Sequence, residues 1–338
     1  MQKKILFIRL DKIGDLICTL CTDDHPDLKE YSKHWLIVKG LEYIPDHSVP
    51  KRTYLPLTKD HTGFSDLYHF LKTNSFSASV SFQCPWWVHF LLFYFKIPIR
   101  VGVLSQWHSF LFLNAGLRQK RSQALKHEAD YNFELVNHLV KKLDPKSARS
   151  ISESPILILQ ADPPDTLLKK WDLKPREYFV VHPGMAGSSL NWPQSKYIEF
   201  IQLFQAQFPK FKIVMTGTAG DTPYVNEIRA AFDSKSYFLS LQSELNSNEL
   251  LSLLSASSGL LAPSTGVMHL AASLGVPTFG IFSPVTVQQP LRWGPRGPIT
   301  ITYQPSETIE NDPNCMSKLE LFTDFKTDFD KIHSTANR

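Results

Sequence analysis

The sequence contains few cysteines, no long uninterrupted apolar segment and no repeat of its glycines or prolines. Its four cysteines are unevenly spaced, which fits a reducing compartment better than a disulfide framework. Cys18 and Cys21 have the spacing of a metal-binding pair, but no second pair completes a tetrahedral site, so two buried thiols one helical turn apart are favoured. With 43% hydrophobic residues, and 15 Gly and 23 Pro without a period, the chain is neither disordered nor fibrous.

The hydrophobic pattern of the sequence predicts neither a membrane-spanning helix nor a secretory signal peptide. The longest apolar run, residues 85–99, contains His89 and Lys96 and falls short of the ~20 residues that cross a bilayer. Only six apolar-rich positions precede Asp11, too few for a signal peptide. We therefore expect a cytoplasmic protein. The aromatic part of the run, residues 86–95, indicates either a helix buried between two strands, which we favour, or peripheral contact with the inner face of the membrane beside basic groups.

The net charge of +4 is unevenly distributed along the chain. Residues 1–150 contain 21 Lys and Arg against 14 Asp and Glu (+7), whereas residues 151–338 contain 15 against 18 (−3). A basic first half suits an anionic partner such as a phosphorylated glycan, a membrane surface or nucleic acid, although scattered solvated lysines explain it equally well. Because no basic cluster is interleaved with aromatic residues, we expect no nucleic-acid partner.

A length of 338 residues is about twice that of a typical domain, and the hydrophobic pattern alternates between strands and helices. One large α/β unit is the alternative to two domains. The looser pattern at 141–175 places a boundary there, giving an N-terminal domain over 1–160 and a C-terminal domain over 161–338 with a tail from 301. The predicted strands are 4–10, 34–38, 79–82, 100–104, 178–181, 212–216, 236–241, 259–262 and 278–282; the predicted helices include 86–95, 193–208, 247–256 and 267–274.

Ligands of open parallel sheets bind beyond the carboxyl ends of the strands, and the loops there are rich in small and polar residues. Ser264, Thr265 and Gly266 begin a helix, where free N–H groups and the helix dipole favour a phosphate. A simple Ser/Thr cap is the alternative. His269 lies on the same helix and either contacts a diphosphate or is a core residue. Neither dinucleotide nor P-loop glycine motifs are present, which disfavours nicotinamide-dependent oxidoreductases and P-loop kinases.

The loop after the first predicted strand brings a second candidate group. Arg9 and Asp15 flank a predicted tight turn at Gly14, and Asp15 lies near the amino end of a helix. Such a carboxylate can accept a proton from a sugar hydroxyl. A helix N-terminal charge is the alternative interpretation, and Asp11 fits either part.

Taken together, these stretches resemble glycosyltransferase family 9, the ADP-heptose:lipopolysaccharide heptosyltransferases, over nearly the whole chain. The stretches that carry the resemblance are Arg9-x4-Gly14-Asp15, Arg100-Val101-Gly102, His127-Glu128 with Tyr131-Asn132, His182-Pro183-Gly184, Asn191-Trp192-Pro193, Thr216-Gly217, Ser264-Thr265-Gly266-x2-His269 with Leu270-Ala271-Ala272, Gly275-Val276-Pro277, Ser283-Pro284 and Cys315-Met316.

The resemblance implies a GT-B fold, in which two Rossmann-like doubly wound domains face each other across a cleft. It implies an inverting transfer of heptose from ADP-heptose to an anionic lipopolysaccharide inner core, without a metal or other cofactor, and it assigns the catalytic base to Asp15. The donor site is expected to include His182, Gly184, Ser188, Asn191, Gly217, Asp221, Ser264, Thr265, Gly266 and His269. The acceptor site is expected to include Arg9, Gly14 and Arg100.

Two positions depart from the family pattern. Members often carry a basic pair before Trp-Pro, including a lysine that reaches the donor phosphates, whereas Leu190 and Asn191 precede Trp192 here. Many members also have Asp or Asn where Ser264 stands. Polar or basic groups elsewhere could compensate: Ser188, Ser189, Asn191, Arg292 and Arg296. Another nucleotide-sugar, or a catalytically silent relative that binds nucleotide or glycan, is therefore an alternative.

Overall fold

The computed structural model describes residues 2–146, 151–185, 190–306, 312 and 314–335. Contacts between residues divide the chain into two compact units, Met1–Leu159 and Gln160–Arg338. Each unit is built on a six-stranded sheet whose strand pairs are all parallel. Among the described residues no helix is long and apolar enough to cross a membrane.

The strands of the first unit are β1 (Lys4–Arg9), β2 (Ser32–Val38), β3 (Ser48–Val49), β4 (Thr53–Leu57), β5 (Ala78–Gln83), β6 (Ile99–Val103), β7 (Ala115–Leu117) and β8 (Ile158–Leu159). Its helices are α1 (Ile13–Leu20), α2 (Tyr43–Asp46), α3 (His61–Thr73), α4 (Trp86–Tyr94), α5 (Trp107–Phe112) and α6 (Glu128–Leu143). The main sheet has the order β4-β2-β1-β5-β6-β7, and β3 pairs with β8 antiparallel outside it.

The second unit repeats this architecture. Its strands are β9 (Tyr178–Val181), β10 (Lys212–Gly217), β11 (Phe238–Gln242), β12 (Leu260–Pro263), β13 (Thr278–Ile281) and β14 (Thr300–Tyr303), in the order β11-β10-β9-β12-β13-β14. Its helices are α7 (Asp165–Lys170), α8 (Gln194–Gln207), α9 (Thr222–Phe232), α10 (Ser247–Ala256), α11 (Gly266–Ser273), α12 (Pro290–Trp293) and α13 (Phe322–Thr335).

Local chemistry explains the best-defined elements. The central strands are apolar runs because both faces of a parallel sheet are covered by helices, and Ile5 to Ile8 of β1 are fully buried. At the start of α10, the Asn246 side chain accepts a hydrogen bond from the Glu249 N–H (2.9 Å), and the Glu249 carboxylate accepts one from the Asn246 N–H (2.8 Å). Gly275 follows α11 at φ +75°, a left-handed conformation that favours glycine.

The segment from residue 301 is not simply a tail. Its first residues belong to β14, which pairs with β13 at the edge of the sheet. Farther on, α13 inserts Phe325 and Phe329 into the core of the second unit, where the Phe325 ring lies 4.7 Å from that of Phe279. The tail prediction was therefore wrong for these elements, because burial of aromatic side chains holds them in the domain.

The prediction that the aromatic segment, residues 86–95, is a helix buried between two strands holds for only one face of α4. Trp87, Val88, Leu91 and Leu92 of α4 are buried against the sheet. The opposite face, which includes Trp86, is exposed. A helix that lies on one side of a sheet buries a single stripe, and this sequence is apolar all round.

Candidate functional site

The order of strands identifies one ligand-binding point at the edge of each sheet. In the first unit the chain builds outward from β1 through β2 to β4, and then crosses to β5 and builds the other way. In the second unit the same reversal separates β9 from β12. Ligands of open parallel sheets bind at such switch points, beyond the carboxyl ends of the strands. The loops singled out from the sequence follow these same strands, namely β1, β9 and β12.

At the switch point of the first unit, Arg9 is the centre of a cluster of charged side chains. It is the last residue of β1 and is buried, and its guanidinium forms an ion pair with Asp15. Asp11 (3.7 Å) and Glu128 (3.8 Å) lie on other sides of the same group. Its Nε atom is buried and has no hydrogen-bond partner in the described part of the chain. Arg9 therefore orients Asp15 and keeps one donor for a ligand or a water molecule.

Glu128 joins a second arginine to this cluster. Its carboxylate accepts a hydrogen bond from Arg121 Nη1 (2.5 Å), and Arg121 Nη2 donates to the Asn132 side-chain oxygen (3.0 Å). Asn132 in turn donates to the Thr19 hydroxyl (2.9 Å) and so fastens α6 to α1. Glu128 and Arg121 were not predicted as site residues; the only signal in the sequence was the recurring His127-Glu128 stretch. They position the helix that carries Asp15.

The environment of Asp15 suits a proton acceptor. Burial raises the pKa of Asp15 above its ordinary value, although Arg9 acts in the opposite direction. The negative charges of Asp11 and Glu128 raise that pKa further. A carboxylate with a raised pKa binds a proton more readily near neutral pH, which is what a general base requires.

A small cavity lies beside this cluster, at the carboxyl ends of β5 and β6. Its lining includes two buried histidines, His89 and His108. Their Nδ1 atoms are 2.8 Å apart, and His108 Nε2 lies 2.5 Å from the Gln106 side-chain oxygen. Since that oxygen accepts a hydrogen bond, His108 carries its proton on Nε2 and His89 carries its proton on Nδ1.

This tautomer assignment leaves His89 Nε2 as an acceptor. The atom is buried and has no hydrogen-bond partner within the described residues. Burial lowers the pKa of His89 to about 3 and also lowers the pKa of His108, so both rings are neutral at physiological pH. The pair can thus accept a hydrogen bond from a hydroxyl or a water molecule. The sequence offered no signal for it beyond a histidine within an apolar run.

Two predicted acceptor residues lie differently from what we expected. Gly14 belongs to the first turn of α1 rather than to a separate tight turn. Arg100 is level in the sheet with Leu6, three residues before Arg9, so the structure does not bring it to the Arg9 cluster. Its guanidinium donates to the backbone oxygens of Phe112 (2.7 Å) and Ile97 (2.5 Å). Arg100 therefore stabilises the segments before and after β6.

In the second unit, the β12 loop leads directly into α11. Thr265 is the residue before the helix, and its side chain makes no capping hydrogen bond to the first turn. The first N–H groups of a helix have no partner inside the helix, and together with the dipole they favour an anion. Ser264 and Gly266 flank Thr265, and His269 is buried in the body of α11. The predicted diphosphate loop thus leads, at the switch point, into a helix start that the Thr265 side chain does not cap.

His182 follows β9, and its backbone pairs with β12 next to this loop. Its ring Nδ1 lies 2.9 Å from the hydroxyl oxygen of Thr216, just before Gly217 at the end of β10. Burial lowers the pKa of His182 to about 4, and the negative charge of Asp221 opposes this shift only in part. His182 is therefore neutral and links the ends of two strands beside the helix start.

The Asp221 side chain points into the protein and stabilises the loop after β10. Its carboxylate accepts hydrogen bonds from both the N–H and the hydroxyl of Thr218, each at 2.8 Å, and its side chain is buried. The carboxylate also lies directly against Gly184, where a Cβ atom would come within 2.2 Å of the Asp221 Cγ. The two predicted donor residues, Gly184 and Asp221, are thus brought together, and the close approach requires glycine at position 184.

Asn191 is also occupied by contacts within the chain. Its side-chain nitrogen donates to the Pro183 backbone oxygen (2.8 Å), and its oxygen accepts from the Trp192 N–H (2.8 Å). Asn191 therefore fixes the approach to α8 and is not a free substitute for a missing lysine. Ser188 lies outside the described residues. In the part of the chain that the structure describes, no group of three or more His, Cys, Asp or Glu side chains is placed to hold a metal ion.

Comparisons with known proteins agree with this architecture. The model of glycosyltransferase family 9 (heptosyltransferase) matches residues 65–319. A candidate glycosyltransferase of Haemophilus influenzae is 26% identical over 326 residues, covering 87% of this chain and 86% of that protein.

Solved structures of heptosyltransferases share the fold. The ADP-heptose lipopolysaccharide heptosyltransferase II of Escherichia coli superposes with a TM-score of 0.78 at 16% identity, covering 98% of this chain and 99% of the other. An E. coli heptosyltransferase solved with ADP gives a TM-score of 0.70 at 15% identity, covering 96% and 98%. Two Rossmann-like units of this kind constitute the GT-B fold. The chain, with three quarters of its length matched by the family model, belongs to glycosyltransferase family 9, the heptosyltransferases, and is a glycosyltransferase.

Proposed function

We propose that the protein transfers a heptose from ADP-heptose to an anionic sugar of a lipopolysaccharide inner core, with inversion at the anomeric carbon. The observation that carries the proposal is the half-buried carboxylate of Asp15, held by Arg9 at the switch point of the first sheet. The family and the ADP-bound heptosyltransferase of the same fold support a nucleotide-sugar donor. The excess of basic residues in the first half supports an anionic acceptor.

In the proposed reaction Asp15 removes the proton from the attacking acceptor hydroxyl. The hydroxyl oxygen forms a bond to the anomeric carbon, the bond from that carbon to the diphosphate oxygen breaks, and ADP departs with the electron pair. Arg9 positions Asp15, while Asp11 and Glu128 keep its pKa raised so that it accepts the proton near neutral pH.

On the donor side, the start of α11 holds the diphosphate. Thr265 and Gly266 present backbone N–H groups and the positive end of the helix dipole to the charge that develops on the leaving group, whereas the Ser264 N–H donates to the Ile281 backbone oxygen (3.0 Å) and fixes the start of the loop. The neutral ring of His182 and the braced Asp221–Gly184 contact fix the neighbouring loops. This arrangement stabilises the departing diphosphate without a metal ion, so activity should persist in excess EDTA.

The test compares Asp15→Asn with a matched control, Asp11→Asn, which makes the same change beside the same arginine. General-base catalysis contributes ~10²–10⁴ in rate, so Asp15→Asn should lower kcat by that factor and leave the KM for the donor nearly unchanged. Asp11→Asn should retain most of the turnover, because Asp11 is not the base. Equal losses in both variants, or near wild-type turnover in Asp15→Asn, would contradict the assignment.

A different nucleotide-sugar is the second candidate, because Leu190 and Asn191 replace the basic pair common in the family and Asn191 is occupied by Pro183 and Trp192. A thermal-shift panel of ADP, GDP and UDP at equal concentration distinguishes the donors, since a ligand that binds the folded state more tightly raises Tm more. ADP should stabilise most. Stabilisation by ADP with no transfer to any acceptor would instead indicate a silent relative.

A further inference from the structure

The outer faces of α4 and α5 form an exposed surface of large apolar side chains. We call it the aromatic face and define it by Trp86, Phe90, Phe93, Tyr94, Trp107, Phe110 and Leu111. All except the half-buried Phe90 are at least 49% exposed, and Trp107 and Leu111 are 63% and 64% exposed. Single exposed apolar residues are common on protein surfaces, but a contiguous patch of this kind marks an interaction site.

The side chains of the aromatic face touch one another across the two helices. Trp86 lies 6.4 Å from Trp107 and 6.4 Å from Phe90, measured between ring centroids. Phe90 continues the contact to Tyr94 at 6.1 Å. On the inner side of the same helix, Trp87 packs into the core of the first unit and anchors the surface rigidly. The aromatic face is therefore a preformed platform.

The stretch of sequence that carries this platform has charges of one sign, although Arg121 and Lys126 at its end form ion pairs with Glu128 and Glu134. Residues 67–127 contain no Asp or Glu, and they contain seven Lys and Arg: Lys72, Lys96, Arg100, Arg118, Lys120, Arg121 and Lys126. Two of these belong to the platform itself. The Arg100 guanidinium carbon lies 5.6 Å from the centre of the Phe93 ring, and that of Arg118 lies 5.5 Å from the centre of the Phe110 ring. Apolar aromatic groups flanked by cations match the interface of a bilayer with anionic headgroups.

We propose that the aromatic face docks the protein on the surface of a bilayer that contains anionic phospholipid. The tryptophans and Leu111 insert at the level of the headgroups, and the surrounding cations pair with lipid phosphates. A second copy of this chain fits the surface less well, because it would place two stretches of like charge against each other. Docking in this way needs no membrane-spanning helix and does not depend on the proposed donor.

Vesicle flotation of the full chain tests the proposal with a matched pair of variants. Leu111→Ser removes a leucine that is 64% exposed on the aromatic face, and Leu291→Ser removes one that is 59% exposed on α12 of the second unit. The vesicles contain phosphatidylcholine and ~30% phosphatidylglycerol, a fraction that gives a strongly charged surface. Leu111→Ser should weaken binding to these vesicles about tenfold. Leu291→Ser should leave binding unchanged.

A charge variant gives a second, independent readout. Arg118→Gln should weaken binding to the anionic vesicles about fivefold, and high salt should weaken wild-type binding because screening shortens the range of the attraction. Vesicles of phosphatidylcholine alone should bind poorly. Circular dichroism and Tm establish that each variant is folded.

Three outcomes would overturn the proposal. The first is that the wild-type protein does not float with anionic vesicles. The second is that Leu111→Ser and Leu291→Ser lose binding equally. The third is that sedimentation velocity finds a dimer that Leu111→Ser converts to a monomer while vesicle binding is absent, which would assign the aromatic face to self-association.

Discussion

The contact between Gly184 and Asp221 makes a quantitative prediction about the loops of the second unit. An alanine Cβ at position 184 would lie 2.2 Å from the Asp221 Cγ and 2.3 and 2.6 Å from its two oxygens, far inside van der Waals contact. The carboxylate would have to move and lose its two 2.8 Å hydrogen bonds from Thr218. Each bond to a charged acceptor contributes ~1.5–3 kcal/mol, so Gly184→Ala should cost about 3 kcal/mol or more.

Asp221→Ala removes the same two hydrogen bonds and should cost about 3 kcal/mol by itself. In the double variant the Asp221 carboxylate is absent, so there is no clash and the two hydrogen bonds from Thr218 are lost only once. The double variant should therefore lose about 3 kcal/mol of stability rather than 6. The coupling free energy is therefore about −3 kcal/mol. Gly217→Ala is the matched control, because its Cβ would lie 3.5 Å from the Asp221 Cβ, an ordinary contact, and should cost little.

Hydrogen–deuterium exchange of peptides that cover β9 and β10 is the appropriate assay. The chain has two compact units, and a single global unfolding transition does not isolate the second one. Protection in these strands should fall in both single variants and fall no further in the double variant. If the two losses add within about 0.5 kcal/mol, the direct contact does not determine the stability of this loop and the reasoning fails.

Three further predictions follow from the same structure. Glu128→Gln removes a negative charge that raises the pKa of Asp15, so the acidic limb of the kcat/KM profile should move to lower pH, whereas the exposed control Glu199→Gln should leave it in place. The pKa of His89 is about 3 in the folded state and about 6.5 when unfolded, so between these pH values the unfolded chain binds more protons. The free energy of unfolding therefore falls as pH falls, by at most ~1.4 kcal/mol per pH unit. Urea titrations of His89→Gln should show a weaker dependence of this free energy on pH than the wild type, and an equal dependence would refute the burial argument. Asn246→Ala should cost about 1 kcal/mol in exchange protection of α10 by removing its cap, while Asn248→Ala, two residues into the same helix, should cost nothing; equal losses would contradict the cap.

The elements that the sequence predicted well are those with strong local signals. The bounds of α10 were predicted correctly because Asn246 and Glu249 form a capping box around an apolar stripe. The strands β1 and β9 were found because buried parallel strands read as uninterrupted apolar runs. The fold class and the family were confirmed, since they depend on the order of such elements along the chain.

Five strands were missed: the two-residue strands β3 and β8, which pair only with each other, and three strands that share a position. β4, β7 and β14 each lie at an edge of a six-stranded sheet, and β7 has only three residues. An edge strand pairs on one side only and tolerates residues such as Pro56, so its sequence carries little of the pattern of a central strand. Their assignment depends on a neighbour far along the chain.

For this protein, the sequence by itself determined where the strands of each sheet end and which of the segments that follow them carry Asp15, His182 and Ser264, because local hydrophobic period and turn chemistry define those positions. Only the tertiary structure decided what each side chain touches. It placed Glu128 and Arg121 around Arg9, turned Asp221 inward against Gly184, and left the outer side of α4 uncovered, since a sheet can bury only one face of each helix that packs on it. Contacts between residues distant along the chain follow from packing, and no local pattern encodes them.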